Sequence, residues 1–264
     1  METVALTEKK IIPLAGKKGL VLGIANEQSI AYGCAEAFRA LGAELAISYL
    51  NEKAKPYVEP LAKQLDARLF LPCDVRQPGQ LEAVFQAIEK QWGKLDFALH
   101  AIAFAPKEDL HGRLADCSRD GFLTAMDVSC HSFIRMAHLA EPLMKDGGAL
   151  FTMSYYGAEK VIEHYNVMGP VKAALESAVR YLAYEMGPKG IRVHAISPGP
   201  IKTRAASGIA NFDALMEQAA SRAPEHRLVS VQDVGVATAV LATDYAKLIT
   251  GGTVYVDGGY HILG

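Results

Sequence analysis

Short apolar runs alternate along this chain with longer amphipathic stretches, and few folds accommodate that rhythm. The runs are GLVLGIA (19–25), ELAISYL (44–50), RLFLPCDV (68–75), LDFALHAIAFA (95–105), GALFTMSY (148–155), IRVHAIS (191–197) and GTVYVDGG (252–259). Several are apolar on both faces, as strands of a parallel sheet covered on both sides must be. In the first stretch between them, Ile30, Cys34, Phe38 and Leu41 fall on one helical face, and Gly42 ends it. Similar patterns recur in QLEAVFQAIEKQW, GFLTAMDVSCHSFIRMAHLAEPLM and VKAALESAVRYLAYEMG. The alternation predicts an α/β fold, a Rossmann-type doubly wound sheet of seven parallel strands with helices on both faces. No repeat, low-complexity tract or linker divides the 264 residues, so a single domain over 1–264 is expected.

In such a sheet the first strand–helix turn is where a dinucleotide pyrophosphate sits, because glycine admits the backbone and the free helix amides favour negative charge. Here that turn reads GIANEQSIAYG, with Gly23, Ser29 and Gly33. Ser29 either caps the helix or donates to a phosphate oxygen. The G-x-G-x-x-G pattern is not matched, so an ordinary turn with a serine cap and a packing glycine is an equal reading. At the end of the third run, CDV places Asp74 where ligands bind, positioned to accept from an adenine amino group. An aspartate closing a strand is also a common loop residue.

Tyr165 precedes Lys172 by seven residues in EHYNVMGPVKAA. Seven residues of α-helix turn about 700°, about 20° short of two turns, so the pair can share one helix face. A lysine facing a cleft can hold ribose hydroxyls, and its charge favours ionisation of a nearby phenol. A tyrosine so placed can donate to an oxyanion. Pro170 is compatible with the first helical turn. Taken in isolation, such a pair is more often a core residue beside a surface one.

These motifs together resemble the short-chain dehydrogenase/reductases, and among them the NADH-dependent enoyl-[acyl-carrier-protein] reductases. The resemblance rests on GIANEQSIAYG, CDV, HAIAFAP, SYYGAEKVIEHYNVMGPVKAA, MGPKGIRVHAISPGPIKTRAASGI and VYVDGG, in the family's order over nearly the whole chain. Most short-chain reductases carry Tyr-x-x-x-Lys, whereas here Met168 stands four before Lys172; the longer spacing is that of the enoyl reductases. The N-A-G motif and helix asparagine of carbonyl reductases are replaced by HAIAFA and MDVSCHSF.

The resemblance implies that an enoyl thioester on acyl carrier protein is reduced with NADH, the last reductive step of bacterial fatty-acid elongation. Tyr165 would stabilise the enolate oxygen, Lys172 would bind the nicotinamide ribose, and Tyr155 matches a second active-site tyrosine. Gly23, Ser29, Ile30, Leu50, Asp74, Val75, Ile102, Ile201, Lys202, Thr203, Arg204 and Ala205 match cofactor-contacting positions. Ala105 matches one touching the acyl substrate. The family usually has Gly at position 103 and often Gln at 50, where this chain has Ala103 and Leu50. A substrate-covering lid is expected around 201–228, and assembly as a homotetramer.

Other readings of the residues are narrower. YLNEKAK after the second run holds Glu52 but also Lys53 and Lys55, so local chemistry does not separate NADH from NADPH. A formal charge of −2 with mixed signs leaves no basic footprint for nucleic acid. No apolar run reaches the ~20 residues of a membrane span. Cys34, Cys73, Cys117 and Cys130 form no C-x-x-C and read as reduced thiols of a cytoplasmic protein. His131 and His138 have no third ligand nearby, so no metal site is expected.

Overall fold

The strands are parallel, and several are apolar on both faces. The computed structural model describes residues 13–203 and 212–263. Its strands are β1 (Lys18–Leu22), β2 (Glu44–Tyr49), β3 (Leu69–Pro72), β4 (Phe97–His100), β5 (Gly148–Met153), β6 (Ile191–Pro198) and β7 (Thr253–Val256). They form one 7-stranded sheet in the order 3-2-1-4-5-6-7, with every pairing parallel. The order reverses at β1, which pairs with both β2 and β4, and this switch point is where doubly wound sheets open a crevice.

Alternation along each strand feeds two cores. Leu20 and Leu22 of β1, Ala98 of β4 and Leu150 of β5 point into one. Val21, Phe97, Leu99 and Phe151, their neighbours in sequence, point into the other. The first core is closed by α3 (Gln80–Trp92), α6 (Ser132–Ala140) and α7 (Met168–Met186). The second is closed by α1 (Ile30–Ala40), α2 (Lys55–Gln64) and α9 (Val231–Ala242). Phe38 of α1 reaches Phe97 with ring centroids 4.4 Å apart. As expected, α1 ends at Gly42, whose φ of +94° an L side chain rarely adopts.

Most expected strands overrun the observed ones at their carboxyl ends, although β6 runs one residue past its expected end, and three of the overruns have a clear local reason. β1 stops where Gly23 turns to φ +109°, and β4 keeps one further ladder bond, Ala101 N–H to Leu22 O, before its chain leaves the sheet. β3 stops at Pro72, which has no amide to donate. The freed residues 101–104 and 73–75 become walls of the crevice.

The long amphipathic stretch 121–144 is not one helix. After α4 (Lys107–His111), α5 (Arg119–Met126) passes into a π-helical turn, Asp127–His131, before α6 begins. Ser132 Oγ donates back to Val128 O at 2.7 Å, a side-chain bond of the kind that competes with the regular ladder. Ser129 leaves the turn to bond both the amide and the carbonyl of Phe104, at 2.9 and 3.1 Å. The π turn thereby ties the helix to the crevice wall. A further helix, α8 (Phe212–Arg222), precedes α9.

Candidate active site

A cavity of about 410 Å³ occupies the crevice at the carboxyl ends of the central strands. Gly23, Ser29, Ile30, Leu50, Asp74, Val75, Ile102, Lys172 and Thr203 all line it, distant in sequence and brought together by the switch point. Ile201 instead packs at the edge of the second core. Lys202 points outward to Asp213 at 3.0 Å. Ala105 packs on the first core rather than on the cavity. Arg204 and Ala205 lie outside the described residues.

The turn after β1 is shaped by close approach. A methyl group added at Gly23 would fall 2.2 Å from Ala101 O, so only glycine lets β1 and β4 exit side by side. Gly33 serves a different contact from the one its spacing suggested: an added Cβ would lie 2.3 Å from Val231 O, on α9. Gly235 returns the contact: a Cβ added there would lie 2.2 Å from Gly33 O. Two glycines thus let α1 and α9 touch backbone to backbone. Ser29 stands at the N-cap of α1, but its side chain makes no cap bond. Its Oγ accepts from the amides of Ala25 and Asn26, at 3.0 and 3.1 Å, and so holds the turn rather than the helix. Ile30 and Ala31, the first helical residues, face the cavity. A Cβ-free cradle beside the start of α1 fits a dinucleotide pyrophosphate.

Asp74 is buried at the cavity wall, and Arg76 grips it twice, Nε at 3.0 Å and Nη2 at 2.8 Å. The Arg76 bond holds the Asp74 carboxyl below the usual carboxylate range, although burial works the other way. Arg76 also stacks over Phe104, 5.5 Å from the ring centroid, and both line the cavity. Sequence reasoning passed over this pair. CDVR carries the arginine two residues from Asp74, but Phe104 comes from another strand's exit. At the end of β2, Glu52 is taken up by Tyr49 Oη (3.2 Å) and Lys55 (3.6 Å).

The Tyr–Lys pair departs from a shared helix face. Lys172 lies in the first turns of α7, but Tyr165 precedes the helix, in a turn where His164 and Asn166 adopt φ of +65° and +39°. Asn166 Nδ2 donates to Leu110 O at 2.8 Å and fastens the turn. Asparagine tolerates the left-handed region, which is the signal a closer reading of HYN would have used. Gly157 makes room for the tyrosine: an added Cβ would sit 2.5 Å from Tyr165 Cδ1. Tyr155 meets Tyr165 edge-on, centroids 4.9 Å apart.

Burial, with Tyr155 and Glu176 nearby, pushes the Tyr165 phenol up. Lys172 therefore does not ionise it; the group stays protonated, as a donor must be. Burial also pushes the Tyr155 phenol up. Lys172 is 4% exposed, and its Nζ donates to Met153 O at 2.6 Å. Burial lowers its pKa to about 8, against an opposing pull from Cys130 and Glu176. His100, also missed in the sequence, is buried beneath the site, with Nε2 2.7 Å from Ser132 Oγ and Nδ1 3.3 Å from Thr152 Oγ1. Desolvation, then the Lys172 charge, lowers its pKa to about 3, so the ring is neutral.

A second cavity, about 650 Å³, lies between Tyr156, the segment 160–164, Tyr260 and α8. It is larger, but the phosphate cradle and Lys172 belong to the first.

The sequence model of the family described as Enoyl-(Acyl carrier protein) reductase matches residues 23–261. This chain belongs to the enoyl-[acyl-carrier-protein] reductases. Relatives within the family include enoyl-[acyl-carrier-protein] reductase [NADH] 1 of Rhizobium meliloti, 49% identical over 94% of this chain and 92% of that one. The Aquifex aeolicus enoyl-[acyl-carrier-protein] reductase [NADH] is 47% identical over 95% and 93%. Among solved structures, an Anaplasma phagocytophilum enoyl-[acyl-carrier-protein] reductase in complex with NAD superposes with a TM-score of 0.92 and 48% identity, covering 95% and 96% of the two chains. A Bacillus cereus enoyl reductase with NADP+ and an indole naphthyridinone gives 0.93 at 42% identity, covering 96% and 99%.

Proposed function

We propose that this enoyl reductase saturates the trans-2 double bond of enoyl thioesters carried on acyl carrier protein, with NADH as reductant, in bacterial fatty-acid elongation. One observation of the site carries the reading: the cavity at the switch point is lined by Gly23, Asp74 and Lys172, and Tyr165, buried and protonated but not lining the cavity, lies in the turn leading into the same helix. Bound NADH would supply hydride to the β-carbon; the Tyr165 hydroxyl would hydrogen-bond to the thioester oxygen on which charge builds, and a proton taken up at the α-carbon would complete the saturation. Lys172 as ammonium donates to the ribose hydroxyls, and Tyr155 packs Tyr165 into place. Gly23, Ile30 and Ala31 accommodate the pyrophosphate, and Asp74 and Val75 bound the adenine end. Of the remaining candidates, Ser29, Leu50, Ile102 and Thr203 complete the cavity wall. Ala105, Ile201, Lys202, Arg204 and Ala205 are assigned by resemblance alone.

The lid expected around 201–228 lies partly outside the described residues, at 204–211; for its described helix α8 a place over the acyl substrate is supported by Ala214, Leu215, Gln218 and Arg222 lining the second cavity. The chain assembles as a homotetramer, supported by apolar side chains left exposed on long helices: Tyr181 (69%) and Tyr184 (85%) on α7, Val236 and Val240 on α9. A cytoplasmic location is supported by four free cysteines. Among the described residues no helix is long and apolar enough to cross a membrane.

The test follows nicotinamide absorbance with a trans-2-enoyl thioester, NADH and NADPH in parallel, and a 3-ketoacyl thioester as control. Oxidation of NADH with the enoyl substrate alone is expected. Turnover of the ketoacyl thioester instead would overturn the reading.

A further inference from the structure

We infer that Glu176 is a positioning residue for Lys172, its buried carboxylate keeping the lysine ammonium cationic and aimed at the cofactor cavity. The inference rests on the reading of Lys172 as the ribose-holding group. The two residues are one turn apart on the same face of α7. Both are buried, at 4% and 6% exposure. Each is tethered to one of two consecutive residues at the carboxyl end of β5: Lys172 Nζ donates to Met153 O (2.6 Å), and Ser154 Oγ donates to Glu176 Oε1 (2.5 Å). No direct ion pair joins them among the described residues, so the carboxylate acts through space. A buried carboxylate away from the substrate, used by no step above, needs such a reason.

Cys130 and Glu176 both favour the Lys172 ammonium, and of the two only Glu176 lies on the lysine's own helix face. From the π turn, Cys130 faces Lys172, but burial raises its thiol pKa and keeps it neutral at working pH. From β4, His100 faces the lysine as a neutral ring. Before α7, the Tyr165 phenol stays protonated. Burial, the largest influence, raises the Glu176 pKa, while bonds from Ser154 and from Thr253 of β7 draw it back towards the carboxylate. Glu159 opposes that ionisation from the loop after β5, and Arg180 supports it from α7 itself. Tyr255 of β7 is held by Glu159 and stays protonated.

The experiment compares wild type, Glu176→Gln and Glu176→Asp. It records kcat/KM with an enoyl thioester and NADH from pH 6 to 9, and separately titrates isotopically labelled Lys172 by NMR in the unliganded protein. The glutamine is expected to leave kcat/KM near wild type at pH 6 and about tenfold lower at pH 8.5, the basic limb falling by about one pH unit. The Lys172 titration should move down by the same amount, and the aspartate should recover most of both. A uniform loss at all pH values with an unmoved Lys172 titration overturns the inference and makes Glu176 structural. Absence of any enoyl reduction by wild type, with a shifted Lys172 titration in Glu176→Gln, removes the proposed function and leaves the coupling standing.

Discussion

Tyr165, Lys172 and Gly157 make separable contributions, and each can be removed alone. Tyr165→Phe deletes the donor to the developing oxyanion without opening a cavity. kcat should fall by roughly 10²–10³-fold, with NADH affinity unchanged by fluorescence titration. Gly157→Ala should act on the same step indirectly. The added methyl meets the Tyr165 ring at 2.5 Å, so the ring must shift; kcat should drop about tenfold or more while NADH still binds. Unchanged kcat in that variant would mean the ring position is not critical. For Lys172 the sign of the pH dependence follows from its lowered pKa. The ammonium is present below about 8 and lost above it, so wild-type affinity for NADH should weaken as pH rises through that value. Lys172→Met should bind NADH weakly at every pH, with no such step.

At the scale of elements, the α1–α9 seam depends on two glycines whose backbones exchange contacts. Gly235→Ala should force the helices apart and cost about 1–3 kcal/mol in guanidinium unfolding, with the m-value unchanged. α1 also carries the start of the phosphate cradle, so NADH affinity should fall with it. The π turn 127–131 is a second junction of this kind. It interrupts an otherwise regular amphipathic pattern, and sequence periodicity reads straight through it. What breaks the ladder is a pair of serines whose partners, Phe104 and His100, arrive from β4 and the loop beyond it. The Tyr165 turn was hidden for the same reason: MGPVKAA reads as helix onset, but the chain before it is bent by Asn166 reaching Leu110, 56 positions away.

For the whole molecule, two buried histidines set an acid limit. His100 is lowered to about 3 and His194 to about 4, the latter by burial and by Arg192. His194 stacks on Phe151 at 5.3 Å, and among the described residues neither ring nitrogen has a hydrogen-bond partner. Both groups have folded pKa values below that of the unfolded chain, near 6.5. Their stabilising effect is therefore full above pH 6.5 and is lost as pH falls through about 4 and then 3. Chemical unfolding should show stability declining over that window. His194→Phe should flatten part of the decline, and an unchanged slope would exclude His194 as a contributor.

The α/β order, the covered parallel sheet and the placing of Gly23, Asp74 and Lys172 at strand and helix ends were legible in the chain itself. They depend on local periodicity and on which strand ends at which residue, and both are properties of contiguous sequence. Tertiary structure alone decided that Gly33 packs against α9, that Ser29 holds its own turn, and that Arg76 stacks over Phe104 at the cavity wall. It also decided that Tyr165 is kept protonated by burial rather than ionised by Lys172. In each of these the deciding contact joins residues far apart in sequence, or the deciding quantity is depth from solvent, and neither leaves a periodic trace along the chain.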